Sequence, residues 1–341
     1  MSYGRRSGPM GACPLLKVYR QLPRLTAEED SVNRTMRRSA VLATLVLATL
    51  ATLALAPDAA ATFPGRNGRI AFQADIGDNG PQIFTVRSNG HQRRQITHVD
   101  GVAAQPDWSP DGRRIVFTLN ECAIAVMDAD GGNLHEVASD PGLCLGDASF
   151  TPDGARLVYT RFDFALEVEQ IWSMKLDGSD QRFITDAGGP DPNVSPDGRK
   201  LSFKGPPDGA LFVANIDGSG IVQISPSISV TYKHDWSPDG QHLVVSDNSD
   251  PAPDEAVNIV TVRPDGSDWR YLTHYPAGFR ANVGGYSPDG RWIVFRLEGP
   301  GLVPTMYRIR PDGTALHALY ASSTIVPRAI DWGPAARHRP S

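Results

Sequence analysis

Apolar and polar residues alternate in short stretches of this chain, and each stretch ends at a turn signal. The run "RRIVF", which begins at Arg113, follows a Ser-Pro-Asp-Gly turn sequence, and similar pairs of turn and run recur along the chain. Alternation with a period of two, rich in β-branched and aromatic residues, predicts β-strands. Since no helical stripe of any length occurs after residue 61, the pattern predicts an all-β fold.

The turn sequence is the clearest repeat. Five copies occur, at Trp108 ("WSPDG"), Phe150 ("FTPDG"), Val194 ("VSPDG"), Trp236 ("WSPDG") and Tyr286 ("YSPDG"), and a degenerate "DWGP" ends at residue 334. The successive turn prolines are separated by 42, 44, 42, 50 and 46 residues. A repeat of this length is typical of propellers and solenoids. Each unit is expected to contain four strands, with the turn between the first and the second.

The two ends of the repeat region complement each other. The first strand-like run, "NGRIAF" from Asn67, lacks the strand that should precede it, and the last, "AIDWGP" from Ala329, lacks the three that should follow. Combined, they make one more unit and remove two open sheet edges. We therefore predict a six-bladed β-propeller of four-stranded antiparallel blades over residues 62–341. It is closed by pairing the C-terminal strand with the N-terminal blade, which places Trp332 beside Ile70.

These aromatic-Ser-Pro-Asp-Gly copies resemble the WD40-like (PD40) repeats of TolB-type six-bladed β-propellers. The resemblance covers residues 64–334 and implies the fold directly. It also implies a scaffold that binds a protein or ligand in the cell envelope or outside the cell. The α/β domain that precedes the propeller in TolB has no counterpart in residues 1–61, so a role in the Tol–Pal system does not carry over. A propeller scaffold by itself supports many functions.

The N-terminal segment has the composition of a targeting sequence. Arg37 and Arg38 precede an apolar run at 41–56, and small residues at 59–61 offer a cleavage site, so residues 36–61 are predicted to be a signal peptide. An uncleaved anchor is the alternative. Residues 1–35 are interpreted as a mis-called or disordered extension, with translation starting at Met36. We expect an exported protein, periplasmic, in the cell envelope or secreted, without a membrane span after cleavage.

The charge of the remaining chain argues against nucleic acid. Residues 1–61 hold eight of the 33 Lys and Arg but four of the 38 Asp and Glu, which leaves 25 basic and 34 acidic residues beyond them. An acidic surface repels phosphate backbones.

Two cysteines remain after residue 61. Cys122 begins the third strand of one unit, and Cys144 lies in the loop that leaves the same unit. Both are expected on one edge of a single sheet, so we predict a disulfide between them, in keeping with an oxidising compartment.

The serines of the turn sequences are interpreted as turn residues. A reactive serine occurs once in a site, whereas these recur with the fold, and no Gly-x-Ser-x-Gly motif is present. The aromatic residues that precede the turns are interpreted as wedges between blades. His98, His234 and His274 fall on one face but match a metal-dependent lyase site poorly, so no catalytic residue, metal site or cofactor is predicted.

Ligand contacts are expected on the loop face, which we define as the face carrying the loops between blades and between second and third strands. The long loop at 246–257 is a candidate partner contact. Carboxylates recur at the channel, and they either attract cations or hydrogen-bond the backbone at blade junctions. The predicted contact residues are Asp107, His234, Asp235, Tyr275, Phe279, Arg280 and Asn282.

The predicted function is an exported, non-enzymatic propeller that binds an envelope or secreted protein, a peptide or a glycan. The alternative is an enzyme, a lyase or a hydrolase or lactonase, acting on a carbohydrate or small ester at the same face. A purely structural envelope component is a third possibility.

Overall fold

Twenty-four β-strands form six four-stranded antiparallel sheets in the computed structural model, which describes residues 64–77, 80–206, 209–225, 230–248 and 256–336. The strands are β1 (Asn67–Asp75), β2 (Pro81–Arg87), β3 (Arg94–Gln95), β4 (Ala103–Trp108), β5 (Arg114–Leu119), β6 (Ala123–Asp128), β7 (His135–Ala138), β8 (Leu143–Phe150), β9 (Arg156–Asp163), β10 (Val168–Lys175), β11 (Arg182–Thr185), β12 (Asn193–Val194), β13 (Lys200–Gly205), β14 (Ala210–Asn215), β15 (Val222–Gln223), β16 (Val230–Trp236), β17 (Leu243–Asp247), β18 (Asn258–Val262), β19 (Arg270–Tyr271), β20 (Arg280–Tyr286), β21 (Ile293–Glu298), β22 (Thr305–Ile309), β23 (His317–Ala321) and β24 (Arg328–Pro334). Within these residues no helix has the length and apolarity of a membrane span. The predicted signal segment, the extension before it and positions 249–255 of the long loop lie outside the described residues.

The sheets are the blades of a closed propeller. Blades 1 to 5 are β4–β7, β8–β11, β12–β15, β16–β19 and β20–β23, and blade 6 is β24 with β1, β2 and β3. The first strands contact one another in the order β4, β8, β12, β16, β20, β24 and back to β4, so they form the wall of a central channel. Ile70 pairs with Trp332 in blade 6. The predicted six-bladed fold and its closure are therefore confirmed.

The Ser-Pro-Asp-Gly segments are tight turns on the face opposite the loop face, which we call the turn face. In the first copy the Ser109 hydroxyl donates to Asp111 (2.7 Å) and accepts the backbone N–H of Arg114 (2.9 Å). Gly112 has a φ of 68°, which a β-carbon disfavours, and its N–H donates to the Ser109 carbonyl. Since both hydrogen-bonding functions of the hydroxyl are used within the turn, its role is structural.

The aromatic residues before the turns pack between blades, as the sequence predicts. Trp108, Trp236 and Trp332 are all at most 2% exposed. The Trp108 ring lies against the neighbouring blade 6 so closely that a β-carbon on Gly333 would stand 2.2 Å from its Cγ. Burial of such large apolar side chains contributes heavily to the stability of the ring.

Candidate functional site

The central channel opens on the loop face as a cavity of about 390 Å³. Its wall comes from one repeated position, three residues before the aromatic position that precedes the turn, which lies in the first strand of five blades and just before β12 in blade 3. These six residues are Gln105, Asp147, Asp191, Lys233, Val283 and Ala329. The second strands contribute Gln73, Lys204 and Arg296. In each blade the aromatic position pairs with a residue of the second strand, and these three side chains lie three residues after that paired residue.

Bulges in the first strands turn these residues toward the channel. The register between first and second strands shifts at this point in blades 1, 2, 4, 5 and 6. Gln105, Asp147, Asp191 and Ala329 have φ values of 54°, 49°, 64° and 42°, in the left-handed region that residues other than glycine seldom adopt. A bulge re-aims a side chain and is common beside functional sites. The repeated strain therefore marks the channel wall as the candidate site.

Lys233 forms the floor of the cavity. From β16 its ammonium crosses the channel and donates to the Pro106 carbonyl of the opposite blade at 3.2 Å. Burial alone would lower the pKa of Lys233, but the surrounding carboxylates, led by Asp331 and Asp107, outweigh it and raise the pKa. The group is therefore an ammonium at neutral pH, and it divides the channel into the wide cavity and a narrow end.

The narrow end, beneath Lys233, is acidic and has a volume of about 20 Å³. Its carboxylates accept backbone N–H groups from the aromatic position of the next blade. The three contacts are Asp331 with Trp108 (2.8 Å), Asp107 with Phe150 (3.2 Å) and Asp235 with Tyr286 (2.7 Å). Burial first, and then the charge of Asp331, raises the pKa of Asp107 well above its usual value. The sequence left two interpretations of the channel carboxylates, attraction of cations and hydrogen bonding to the backbone at blade junctions. For these three residues the structure supports hydrogen bonding.

Two carboxylates of the cavity wall differ from each other in their electrostatics. Burial, with the charge of Asp191, raises the pKa of Asp147 to about 6. Burial of Asp191 acts in the same direction, but its contacts with His234 and the charge of Lys204 hold its pKa below the usual value. Asp191 Oδ2 accepts the backbone N–H of His234 (3.1 Å) and lies 3.2 Å from its Nδ1. Asp147 is therefore the wall carboxylate whose charge changes near pH 6.

The opposite wall of the cavity is basic and amide-rich. The Arg296 side chain is 6% exposed, and it donates to Glu298 (2.8 Å) and to the Pro327 carbonyl (3.1 Å). Asn282 is also 6% exposed and donates to Glu298 (3.3 Å), which leaves its Oδ1 buried and without a hydrogen-bond partner among the described residues. A buried unpaired acceptor is costly unless a ligand or water supplies a donor.

The structure places the predicted contact residues in three different environments. Asn282 lines the cavity, whereas Asp107 and Asp235 line the narrow end. His234 is 1% exposed, and its Nε2 lies 2.8 Å from the Ser202 hydroxyl, so it lies below the channel surface.

The remaining predicted contacts lie beside the cavity rather than in its wall. Tyr275 and Phe279 stack on each other with ring centroids 6.3 Å apart and pack on the apolar core between blades 4 and 5. Arg280 begins β20. His98 and His274 are exposed, and among the described residues no group of three or more His, Cys, Asp or Glu is placed to hold a metal ion.

The predicted disulfide between Cys122 and Cys144 is present, but it connects two blades. Cys122 lies in the turn before β6 of blade 1, and Cys144 lies within β8, the first strand of blade 2. The interpretation that both belong to one sheet was wrong, because β8 begins earlier than the turn residues around Gly142 suggest. The bond therefore fixes the start of the strand that carries Asp147.

Sequence reasoning missed Lys233, Lys204 and Arg296. Their positions in the repeat could have indicated them. Lys233 lies three residues before the aromatic position of its repeat, and Lys204 and Arg296 lie three residues after the residue that pairs with it. Other repeats carry shorter or uncharged side chains at these places. An alignment of the six repeats to one another would have singled out these places.

Comparison with known proteins agrees with the geometry. The family model described as "TolB beta propeller domain" (PD40) matches residues 120–336. An uncharacterised protein of Agrobacterium fabrum is 25% identical over 246 residues, which are 71% of this chain and 66% of that protein. The chain thus spans slightly under two thirds of that relative's length.

Solved structures share the fold at low sequence identity. TolB from Acinetobacter baumannii superposes with a TM-score of 0.67 at 20% identity, over 78% of this chain and 67% of that one. Oligogalacturonate lyase from Vibrio parahaemolyticus superposes with a TM-score of 0.54 at 16% identity, over 77% and 78%. At such identities the likeness establishes the architecture only.

Proposed function

The chain belongs to the TolB β-propeller family, and we propose that it is an exported, non-enzymatic scaffold that binds a partner protein through the channel cavity. Export is supported by the signal-like segment at 36–61 and by the disulfide, since disulfides persist mainly in oxidising compartments. N-terminal mapping of the protein recovered from cells tests this part. A mature chain that begins near residue 62 is expected, and a cytoplasmic chain with reduced cysteines would contradict it.

The observation that carries the proposal is the blind cavity with a strained, polar wall. The Lys233 bridge closes its inner end, so a partner inserts a chain end or an extended loop and does not thread through. Gln73, Gln105 and Asn282 place side-chain amides around the wall, and amides pair well with peptide groups. Because the blades fix these residues before binding, little conformational entropy is lost on association.

We propose Asn282 as the central contact, with Tyr275, Phe279 and Arg280 as contacts at the rim beside it. Asn282 offers the unpaired acceptor, and the stacked rings offer apolar surface next to β20. Asp107, His234 and Asp235 support the site from below: the carboxylates bond the next blade, and His234 holds Asp191.

Affinity capture from an envelope extract tests the proposal. The full chain serves as bait beside Asn282→Leu, which removes the buried acceptor, and Gln241→Leu, a control at an exposed turn-face position. Retained proteins are compared by mass spectrometry. A partner retained by the wild type and Gln241→Leu but lost with Asn282→Leu supports the proposal, whereas equal retention by all three would show that the cavity is not the binding site.

The enzymatic alternative is favoured by one observation: Asp147, a half-buried carboxyl whose pKa lies near 6, faces a cavity with basic residues. Such a group can act as a general acid or base. A survey of polyuronic acids, simple glycans and lactones with the full chain tests it. Turnover that disappears in Asp147→Asn, with a melting temperature no lower than that of the wild type, would establish the enzyme and displace the scaffold proposal.

A further inference from the structure

A second depression on the loop face lies between blades 2 and 3. It has a volume of about 530 Å³ and adjoins the channel cavity, because Pro190 and Lys204 line both. We call it the blade 2–3 groove. A segment that entered the cavity from this side would pass along the groove.

The groove is acidic. Three carboxylates, those of Glu167, Glu169 and Asp186, line it, and Lys204 at the junction with the cavity is the only cation among its described lining residues. Both glutamates and Asp186 are exposed. Carboxylates placed together favour a cationic group over a neutral or anionic one.

An aromatic ring stands among these carboxylates. Phe162 lines the groove and is the direct cross-strand neighbour of Glu169. Phe164 meets its ring edge-on at 5.3 Å and is itself 55% exposed. An aromatic face beside a carboxylate suits the side chain of lysine or arginine, because the apolar stem packs on the ring and the charged end meets the carboxylate.

The backbone of blade 3 leaves room for Glu169. A β-carbon on Gly189 would stand 1.9 Å from Glu169 Oε2, so the carboxylate occupies the place of a side chain. Thr160 donates to the Gly189 carbonyl (3.3 Å), and the Gly189 N–H donates to the Lys204 carbonyl (2.9 Å), which fixes this segment. The backbone beside the Glu169 carboxylate is therefore held in place, and it carries no side chain that would displace the carboxylate.

The connected cavity supplies a separate observation. The buried Oδ1 of Asn282 has no partner among the described residues, and a donor such as a peptide N–H would satisfy it. We propose that the partner segment is a basic peptide: a lysine or arginine side chain occupies the blade 2–3 groove, and the adjoining backbone lies in the cavity. This inference rests on the proposed function and names the chemistry of the segment.

Retention of defined peptide mixtures tests the inference. The probes are two mixtures of random octapeptides, capped at both ends, with either lysine or the uncharged norleucine fixed at one central position. The full chain is immobilised as wild type, as Glu167→Gln/Glu169→Gln/Asp186→Asn, as Asp100→Asn and as Asn282→Leu. Asp100 is an exposed acid of the β3–β4 loop and serves as the matched control. Equal melting temperatures verify folding.

The wild type and Asp100→Asn are expected to retain the lysine mixture about tenfold better than the norleucine mixture, a preference that salt weakens. The triple variant is expected to lose this preference, while Asn282→Leu retains less of both mixtures. No preference in the wild type, or an unchanged preference in the triple variant, would overturn the inference and leave the proposed function intact if Asn282→Leu still reduces retention. Insensitivity to Asn282→Leu would instead contradict the proposed function. Stronger competition by glucosamine oligomers than by lysine peptides would also overturn the inference, since the ligand would then be a glycan.

Discussion

Replacing Lys233 by methionine removes the ammonium that crosses the channel and lies among its carboxylates. Methionine keeps most of the apolar stem but loses the bond to Pro106 and takes the ammonium away from Asp107, Asp331 and Asp235, while Asp191 keeps its contacts with His234 and the charge of Lys204. Removing one partner from a buried charge set costs about 3–5 kcal/mol. Because Lys233 is only half-buried, we take the lower end, about 3 kcal/mol, which corresponds to a melting temperature lower by roughly 6–12 °C for a domain of this size.

The loss is expected to depend on pH. Burial already raises the pKa values of Asp107 and Asp331 above their usual range, and without the ammonium they rise further. A carboxyl whose folded pKa is raised stabilises the fold while it is protonated, and that stability is lost as the pH rises through the folded pKa. The difference in melting temperature between wild type and Lys233→Met should therefore be larger at pH 8 than at pH 5.

Differential scanning calorimetry at the two pH values measures both effects. Lys175→Met, at an exposed lysine of β10, is the control for the loss of one surface charge. Added calcium should restore part of the stability of Lys233→Met and not that of the control, because hard cations prefer carboxylate and carbonyl oxygens. A loss below about 1 kcal/mol at pH 8, or the same loss at both pH values, would refute the counter-charge role of Lys233.

Three further outcomes follow from the structure. Asp147→Asn should raise the free energy of unfolding by about 1–2 kcal/mol at pH 8 and leave it nearly unchanged at pH 4. The reason is that the ionised form of Asp147, whose folded pKa is raised to about 6, destabilises the fold. Chemical denaturation at both pH values checks this, and no gain at pH 8 would speak against it. Replacing Cys122 and Cys144 together by serine should lower the free energy of unfolding by about 3 kcal/mol, which is measured as a lower urea midpoint. Reduction of the wild type should reproduce that shift. A midpoint unaffected by either change would argue against the bond between the two blades. Ser109→Ala should cost about 1–2 kcal/mol by calorimetry without changing partner capture, and a selective loss of capture would argue for a functional serine.

The repeat made most of the fold predictable. Each Ser-Pro-Asp-Gly copy contains the residues that form its turn, and the aromatic residue before it packs at the interface between two blades. Local sequence therefore determines local structure. The pairing of Ile70 with Trp332 followed from the two incomplete end units. Blade boundaries were less accurate, because Cys144 sits in a region rich in turn-forming residues that the structure nonetheless pairs as a strand.

The site was less predictable because it depends on contacts between distant repeats. Lys233 reaches Pro106 only because β16 and β4 face each other across the channel, and nothing in either local sequence shows this. The bulges that aim Gln105 and Asp147 at the channel are also invisible in an alternation pattern, since a bulge changes the face of a side chain without changing the residue. Asn282 was among the predicted contacts because it follows a loop on the expected face, and the structure places it in the cavity wall.

The shared blade also sets the order in which this ring can assemble. Strand β1 emerges from the ribosome near the beginning of synthesis, yet its neighbour β24 is made last. Until then the β1–β2 hairpin presents an unpaired edge, and the ring remains open at one side. Closure is thus a late, long-range event, which favours slow folding and exposes the unfinished chain to mispairing with other chains.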